Sequence, residues 1–385
     1  MTILWIYNQP LVPEAGGTER ITSLVAKGLS ARGHNCLGIL VFNDKDGSMT
    51  YDGKTITDLY TFLKEHGVDI VINQIAYAKW LLEAFLANGG DCWRSEGGRI
   101  ISCLHFDPKS TSSLYYLCSI RHKTPRTYIN IAKAFALYPY YARTQRLQAG
   151  TTYNWIYDHS DWFVTLSEKH FKYLKKVTHR DDYEKLAAIN NPLTFDTISP
   201  ESALSQKKKI ILVCSRMDEY QKRISLVLKA WKALQTTDAA KDWQLKLVGT
   251  GPDIDLYKEY ARKHNLQRIS FEGRQSPEPY YEEASIFLMT SCGIEGWGLT
   301  ITESLQKGVV PVVMNTCPVY SDIIDHCYNG YLSNGSDMNS FLAHIKSLIS
   351  DQRRLQSMQR NALRSAGRFT LDKTMEKWEK IINRK

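Results

Sequence analysis

The sequence predicts an α/β protein of two domains, each a parallel sheet covered by helices. Three observations carry this. The chain has 385 residues, more than one hydrophobic core usually organises. Short apolar runs alternate with amphipathic helical stretches almost throughout, the pattern of βαβ units. A polar stretch with little periodicity, Thr194–Lys209, breaks that alternation near the middle. It holds Pro200 and the run Lys207-Lys208-Lys209 and reads as the domain linker.

In the first half, Ile3–Tyr7 is an apolar strand, and Asn8–Gly17 is a loop with Pro10, Pro13, Gly16 and Gly17. Thr18 can cap a helix to about Arg32, with Ile21, Leu24, Val25 and Leu29 on one face. Gly33 ends it, and strands are expected at Cys36–Phe42, Asp69–Asn73 and Arg99–His105. Between Pro108 and His159 the pattern turns helical and aromatic, with Tyr115, Tyr116, Tyr128, Tyr138, Tyr140, Tyr141, Tyr153 and Tyr157. These tyrosines read as packing or acceptor contacts. Trp162–Leu166 and Leu186–Asn190 return to strand. Beyond the linker, strands are expected at Ile210–Cys214, Gln244–Val248, Ile269–Phe271, Ile286–Met289 and Val310–Val313, with helices between them.

Composition narrows the class. Hydrophobic residues make up 43% and charged residues 23%, as in soluble globular proteins. No apolar run approaches the ~18 residues of a membrane span. The start, Met1 to Tyr7, lacks the marks of a signal peptide, so a cytoplasmic location is expected. The eight cysteines show no C-x-x-C spacing and read as reduced and buried. The net charge is +9, and between Ile100 and Arg180 there are 12 Lys/Arg against 4 Asp/Glu. A solvated face and an anionic membrane surface are the leading readings. The run from Lys169 to Lys176 supports the second, since it alternates basic and apolar residues at helical spacing. Nucleic acid ranks third, for want of any recognition motif.

Three constellations could carry chemistry. Glu14-Ala15-Gly16-Gly17-Thr18-Glu19 lies between a strand and a helix, where glycines let backbone approach an anion. Arg216 and Lys222 follow the strand Ile210–Cys214, at the end where open α/β sheets bind ligands. Two cations there could neutralise a diphosphate leaving group. The third segment runs from Cys292 to Ser304 and contains Glu295-Gly296-Trp297-Gly298-Leu299-Thr300-Ile301-Thr302-Glu303. Its glycines free the backbone, and the amides of Leu299 and Thr300 open a helix, a natural phosphate seat. Glu303 is placed to accept from ribose hydroxyls and Glu295 from sugar hydroxyls.

On these residues the chain resembles the family 4 retaining glycosyltransferases. That family carries E-G-[FW]-G-[LIV]-x-x-x-E, as Glu295 to Glu303 do here. The similarity extends to Gly308-Val-Val-Pro311, Asn329-Gly330, Leu247-Val-Gly249-Thr-Gly251-Pro252, Phe271-Glu-Gly273-Arg274, Arg216 with Lys222, Gly16-Gly17-Thr-Glu and Ile189-Asn-Asn191-Pro192. The resemblance implies the GT-B fold, two Rossmann-like domains with parallel sheets facing across a cleft that closes on the donor. It implies a first domain over 1–193, joined by a C-terminal helix over 370–385, and a nucleotide-sugar domain over 194–369. It implies that Arg216 and Lys222 hold the diphosphate, Glu303 the ribose, and Glu295 with His105 the transferred sugar. Backbone at Gly273 and Arg274 would lie near the base, and no metal or cofactor is expected beyond the nucleotide-sugar donor.

The implied reaction is transfer, with retention, to a glycan or lipid-linked acceptor in surface polysaccharide biosynthesis. The protein would then be cytoplasmic or peripheral at the inner membrane face. Two alternatives stay open: a GT-B synthase or phosphorylase with a soluble acceptor, and a non-catalytic sugar-nucleotide-binding subunit.

Overall fold

In a computed structural model, which describes residues 1–13, 16–109, 129, 132, 133, 136–293 and 295–384, the apolar runs become strands of two sheets. Glu14, Ala15, Tyr115, Tyr116, Cys118 and Tyr128 lie outside the described residues. The chain divides into two compact units. The first is Met1–Ser112 with Ala142–Thr194 and Phe369–Lys385, and the second is Phe195–Arg368 with Ser113–Tyr141.

The first unit has strands β1 (Thr2–Tyr7), β2 (Asn35–Val41), β3 (Met49–Tyr51), β4 (Lys54–Thr55), β5 (Val68–Asn73), β6 (Arg99–Leu104), β7 (Trp162–Thr165) and β8 (Leu186–Ala188). They pair in the order β4-β3-β2-β1-β5-β6-β7-β8. Ile3, Leu4 and Ile6 have no exposed surface, as expected of a central strand covered on both faces. The parallel expectation fails at one edge, where β2, β3 and β4 pair antiparallel. The turn of that hairpin is Asp52-Gly53, at φ 48° and 76°, the backbone a tight two-residue turn requires.

Helix α1 (Gly17–Ser30) buries Ile21, Val25 and Leu29. Thr18 is not its cap, because the chain is already helical at Gly17 and Gly16 holds the cap position. The Thr18 carbonyl instead lies 2.8 Å from the Thr22 hydroxyl. Helix α2 (Tyr138–Asp158) buries Tyr153, Ile156 and Tyr157. The basic stretch forms α3 (Phe171–Thr178), with Leu174 and Val177 inside and Lys172, Lys175 and Lys176 exposed. Its buried apolar residues belong to the core, so any attraction to an anionic surface rests on the lysines. Among the described residues no helix is long and apolar enough to cross a membrane.

The second unit has strands β9 (Ile210–Cys214), β10 (Gln244–Val248), β11 (Ile269–Gly273), β12 (Ile286–Met289), β13 (Val310–Met314) and β14 (Tyr331–Ser333). They pair in parallel in the order β11-β10-β9-β12-β13-β14. The helices that matter below are α4 (Glu219–Lys222), α5 (Ile224–Leu234) and α6 (Leu299–Gln306). The stretch read as a linker is not loose. Glu201–Gln206 is a 3-10 turn, Ser199 N donates to Gln306 O at 3.0 Å, and buried Lys307 bonds Glu278 at 2.5 Å and the Thr197 carbonyl at 3.3 Å.

Helix α7 (Leu371–Ile382) packs on α1 in the first unit. Trp378 meets Trp5 edge-on at 6.1 Å, Arg32 bonds Asp372 at 3.0 Å and Glu379 at 3.3 Å, and Lys377 donates to Asn190 Oδ1 at 2.6 Å. A Cβ on Gly28 would lie 2.6 Å from Met375 Sδ, so the glycine is what lets α7 come this close.

Candidate functional site

Parallel sheets bind ligands beyond the carboxyl ends of their strands, at the point where strand order reverses. In the second unit that point lies between β9 and β12. The loops leaving these two strands carry Arg216, Lys222, Glu295, Gly296, Trp297 and Gly298.

Lys222 ends α4, which Asp218 caps through Tyr220 N at 3.0 Å. Arg223 then turns left-handed, at φ 49°, and α5 begins. Its guanidinium bonds the carbonyls of Thr290 at 2.8 Å and Ser291 at 3.1 Å, joining the β9 loop to the end of β12. The Thr290 hydroxyl returns a bond to the Lys222 carbonyl at 2.8 Å. Held this way, the Lys222 ammonium forms an ion pair with the Glu295 carboxylate. The two side chains are 18% and 15% exposed, and charges so sheltered are screened less than surface pairs. Arg216 is the exposed cation, 59% accessible, bonded to Gln221 Oε1 at 2.8 Å and Asp218 at 3.3 Å.

Glu219 escaped the sequence reading, because a charged residue in a short helix looks solvated. It is buried, accepts from Ser225 N and the Tyr257 hydroxyl at 3.0 Å each, and ties α4 to α5. Burial and then the charge of Glu219 push the Tyr257 hydroxyl far above its usual range.

The Arg216 loop also lies against the loop after β10. Met217 N donates to Thr250 O and Asp253 N to Met217 O, both at 3.0 Å. A Cβ on Gly249 would fall 2.0 Å from Ser215 O, and one on Gly251 would fall 2.5 Å from Met217 O. Only glycine admits this approach. Gly249 N donates to Gly273 O at 2.7 Å, so the end of β11 is held in the same set of loops. Arg274 is exposed beside it.

Gly298 caps α6 at φ 100°. The first bonds within the helix run from Ile301 N and Thr302 N to Gly298 O, at 2.9 and 3.4 Å. The amides of Leu299 and Thr300 precede them and carry the positive end of the helix. Gly296 and Trp297 are buried behind this turn. Glu303 lies one turn in and is buried, beside Tyr281, whose hydroxyl donates to Thr300 O at 3.2 Å. Burial and then the negative forms of Cys214 and Glu303 raise the Tyr281 hydroxyl well above its ordinary value.

The first unit has its own reversal point, between β1 and β5. Gly16 and Gly17 stand at the start of α1 there, and the Glu19 carboxylate folds back over Gly16. His105 follows β6, and its Nε2 lies 2.6 Å from Gln74 Oε1. Gln74 and Thr22, both buried, were not marked from the sequence. His105 and Gln74 line a largely apolar cavity of about 20 Å³, with Trp5 and Trp378 on its wall. The structure thus groups Arg216, Lys222, Glu295 and the α6 start in one unit, and Gly16, Gly17 and His105 in the other.

Burial pushes the His105 pKa down to about 4, against ~6.5 in an unfolded chain. Between those values the unfolded chain binds a proton that the folded chain does not. Stability from this source is therefore full above about 6.5 and falls as pH drops toward about 4. His105→Phe is expected to flatten the fall of the urea-unfolding midpoint between pH ~6.5 and ~4.5 relative to wild type. Parallel curves for the two proteins would show that the ring titrates normally.

Residues 194–365 match the sequence model of the glycosyl transferases group 1 family. An uncharacterized glycosyltransferase of Haemophilus influenzae is 25% identical over 227 residues, 58% of this chain and 61% of that one. The lipopolysaccharide 1,6-galactosyltransferase of Escherichia coli is 28% identical over 171 residues, 43% of this chain and 46% of that one. The chain therefore aligns with less than two thirds of the length of these relatives. Solved structures align over more. Anabaena HepE, solved with UDP-glucose, superposes with a TM-score of 0.68 at 14% identity and full coverage of both chains. The lipopolysaccharide outer core galactosyltransferase WaaB does so with a TM-score of 0.66 at 19% identity, covering 100% of this chain and 99% of that one. Residues 194–365 thus resemble the glycosyl transferases group 1 family, and the chain has the two-unit α/β fold of GT-B glycosyltransferases.

Proposed function

We propose that this protein is a retaining glycosyltransferase that moves a sugar from a nucleotide-diphosphate donor to a glycan or lipid-linked acceptor, without a metal, in the building of a surface polysaccharide. The observation that carries the proposal is the Lys222–Glu295 ion pair at the β9/β12 reversal point, with Arg216 on the same loop and the start of α6 following Glu295. A diphosphate needs cations and amide donors, and a sugar needs a carboxylate. These groups leave adjacent strand ends within the part of the chain that matches the family.

As the bond from the anomeric carbon to the phosphate oxygen breaks, negative charge gathers on the departing diphosphate. Arg216, Lys222 and the first amides of α6 would stabilise it. The acceptor oxygen bonds the anomeric carbon on the face the phosphate leaves, and its proton passes to the leaving phosphate oxygen. Two relatives named as lipopolysaccharide 1,6-galactosyltransferases support the acceptor class. The exposed lysines of α3 support a peripheral contact with an anionic membrane surface.

The test is a thermal-shift screen against UDP-, GDP- and ADP-sugars, followed by NMR of the anomeric proton of any product. A donor at ~100 times its Kd should stabilise the protein by roughly 2.7 kcal/mol, and Arg216→Ala should lose the shift. No shift with any donor overturns the proposal, and an inverted product removes retention.

A further inference from the structure

Gln74 follows β5 and is 2% exposed. Its backbone N–H donates to Ile6 O at 3.2 Å, which fixes it at the β1/β5 reversal point. Its side-chain Oε1 lies 2.6 Å from His105 Nε2 and 3.0 Å from Thr22 Oγ1. The Thr22 hydroxyl, on a residue 1% exposed, shares its one proton between Gln74 Oε1 and the Thr18 carbonyl, 2.8 Å away. Among the described residues no other side chain hydrogen-bonds the imidazole, and the residues lining its cavity include no Asp, Glu, Lys or Arg.

Burial without a nearby charge holds the ring neutral at physiological pH. A neutral imidazole carries one N–H, on one nitrogen or the other. A carbonyl oxygen only accepts, so the proton facing Gln74 Oε1 sits on Nε2, and Nδ1 is left with a lone pair. The opposite orientation of the amide would present a donor to Nε2 and would put the proton on Nδ1. One buried amide therefore decides whether the other side of the ring accepts or donates.

We infer that Gln74 is a positioning residue that locks His105 in its Nε2–H form, so that Nδ1 accepts a hydrogen bond from a hydroxyl of the sugar being transferred. The inference rests on the glycosyl-transfer reading of His105.

The primary test is read on the wild-type chain, with one folded variant used only for assignment. Two-bond ¹H–¹⁵N spectra of the ¹⁵N-histidine-labelled full chain at neutral pH should show one ring with a bare Nδ1 and a protonated Nε2. Loss of that signal in His105→Phe assigns it. Gln74→Leu should shift the ring toward a mixture of the two forms. It should lower kcat about 10-fold, the equivalent of one neutral hydrogen bond, with donor KM within about two-fold. Gln74→Glu supplies a carboxylate, so the ring should take a second proton at neutral pH. Its kcat should then recover as the pH is raised. A protonated Nδ1 in the wild type, or an unchanged spectrum in Gln74→Leu, overturns the inference. Wild-type turnover is scored separately: its absence removes the transferase reading, whereas the spectrum alone decides the role of Gln74.

Discussion

Lys222→Ala is expected to lower kcat for sugar transfer by roughly 10²–10³-fold, the usual cost of removing one preorganised charge-stabilising donor. Two consequences combine in this variant. The departing diphosphate loses a cation held in place by the carbonyl and hydroxyl contacts of Arg223 and Thr290. Glu295, only 15% exposed, also loses its ionic partner, and a sheltered carboxylate without a partner is costly. Arg216 is 59% exposed and lies on the preceding loop, so it can attract the phosphates without replacing a fixed ammonium. Donor KM is expected to change less than kcat, because the charge in question grows only as the bond breaks. Steady-state kinetics on a variant with a wild-type melting curve check this. A kcat within about three-fold of wild type would remove Lys222 from the reaction.

Gly249→Ala is expected to destabilise the second unit by about 3 kcal/mol, read as a lower urea midpoint. The new methyl would fall 2.0 Å from Ser215 O, and the backbone sits at φ 130°. Neither atom belongs to a flexible side chain, so the strain must be taken up by the loop that carries Arg216. Donor affinity should therefore fall as well. Gly273→Ala is the control, since it has φ 72° with nothing within 4 Å of the added carbon. It should carry only the left-handed backbone penalty of about 1–2 kcal/mol. Equal losses in the two variants would mean that the contact with Ser215 is not what demands glycine.

The contrast between those glycines also marks what the sequence could convey. Strands such as Ile210–Cys214 and Ile286–Met289 were readable to the residue, because a covered parallel strand is an apolar run with polar ends. The α6 turn was readable because glycine, aromatic and glycine leave few other conformations. The β3–β4 hairpin carried a signal in Asp52-Gly53, but its five strand residues are too few to show a period. Glu219 and Gln74 were not readable at all. Each acts through partners distant in sequence: Tyr257 for Glu219, and Thr22 and His105 for Gln74. The Lys222–Glu295 pair spans 73 positions, and spacing alone cannot say that two such charges meet.

The packing of α7 on α1 has a consequence for synthesis. A ribosome delivers the β1–α1 layer well before Trp378, so the surface around Trp5 and Gly28 stays uncovered while residues 195–368 emerge. Translation proceeds at roughly 5–20 residues per second, and domains tend to fold as units when they become complete. The second unit's sheet can therefore close before the first unit has received its final helix. A chain that stops between Arg368 and Leu371 would keep the second unit whole and strip the cover from the β1–α1 layer.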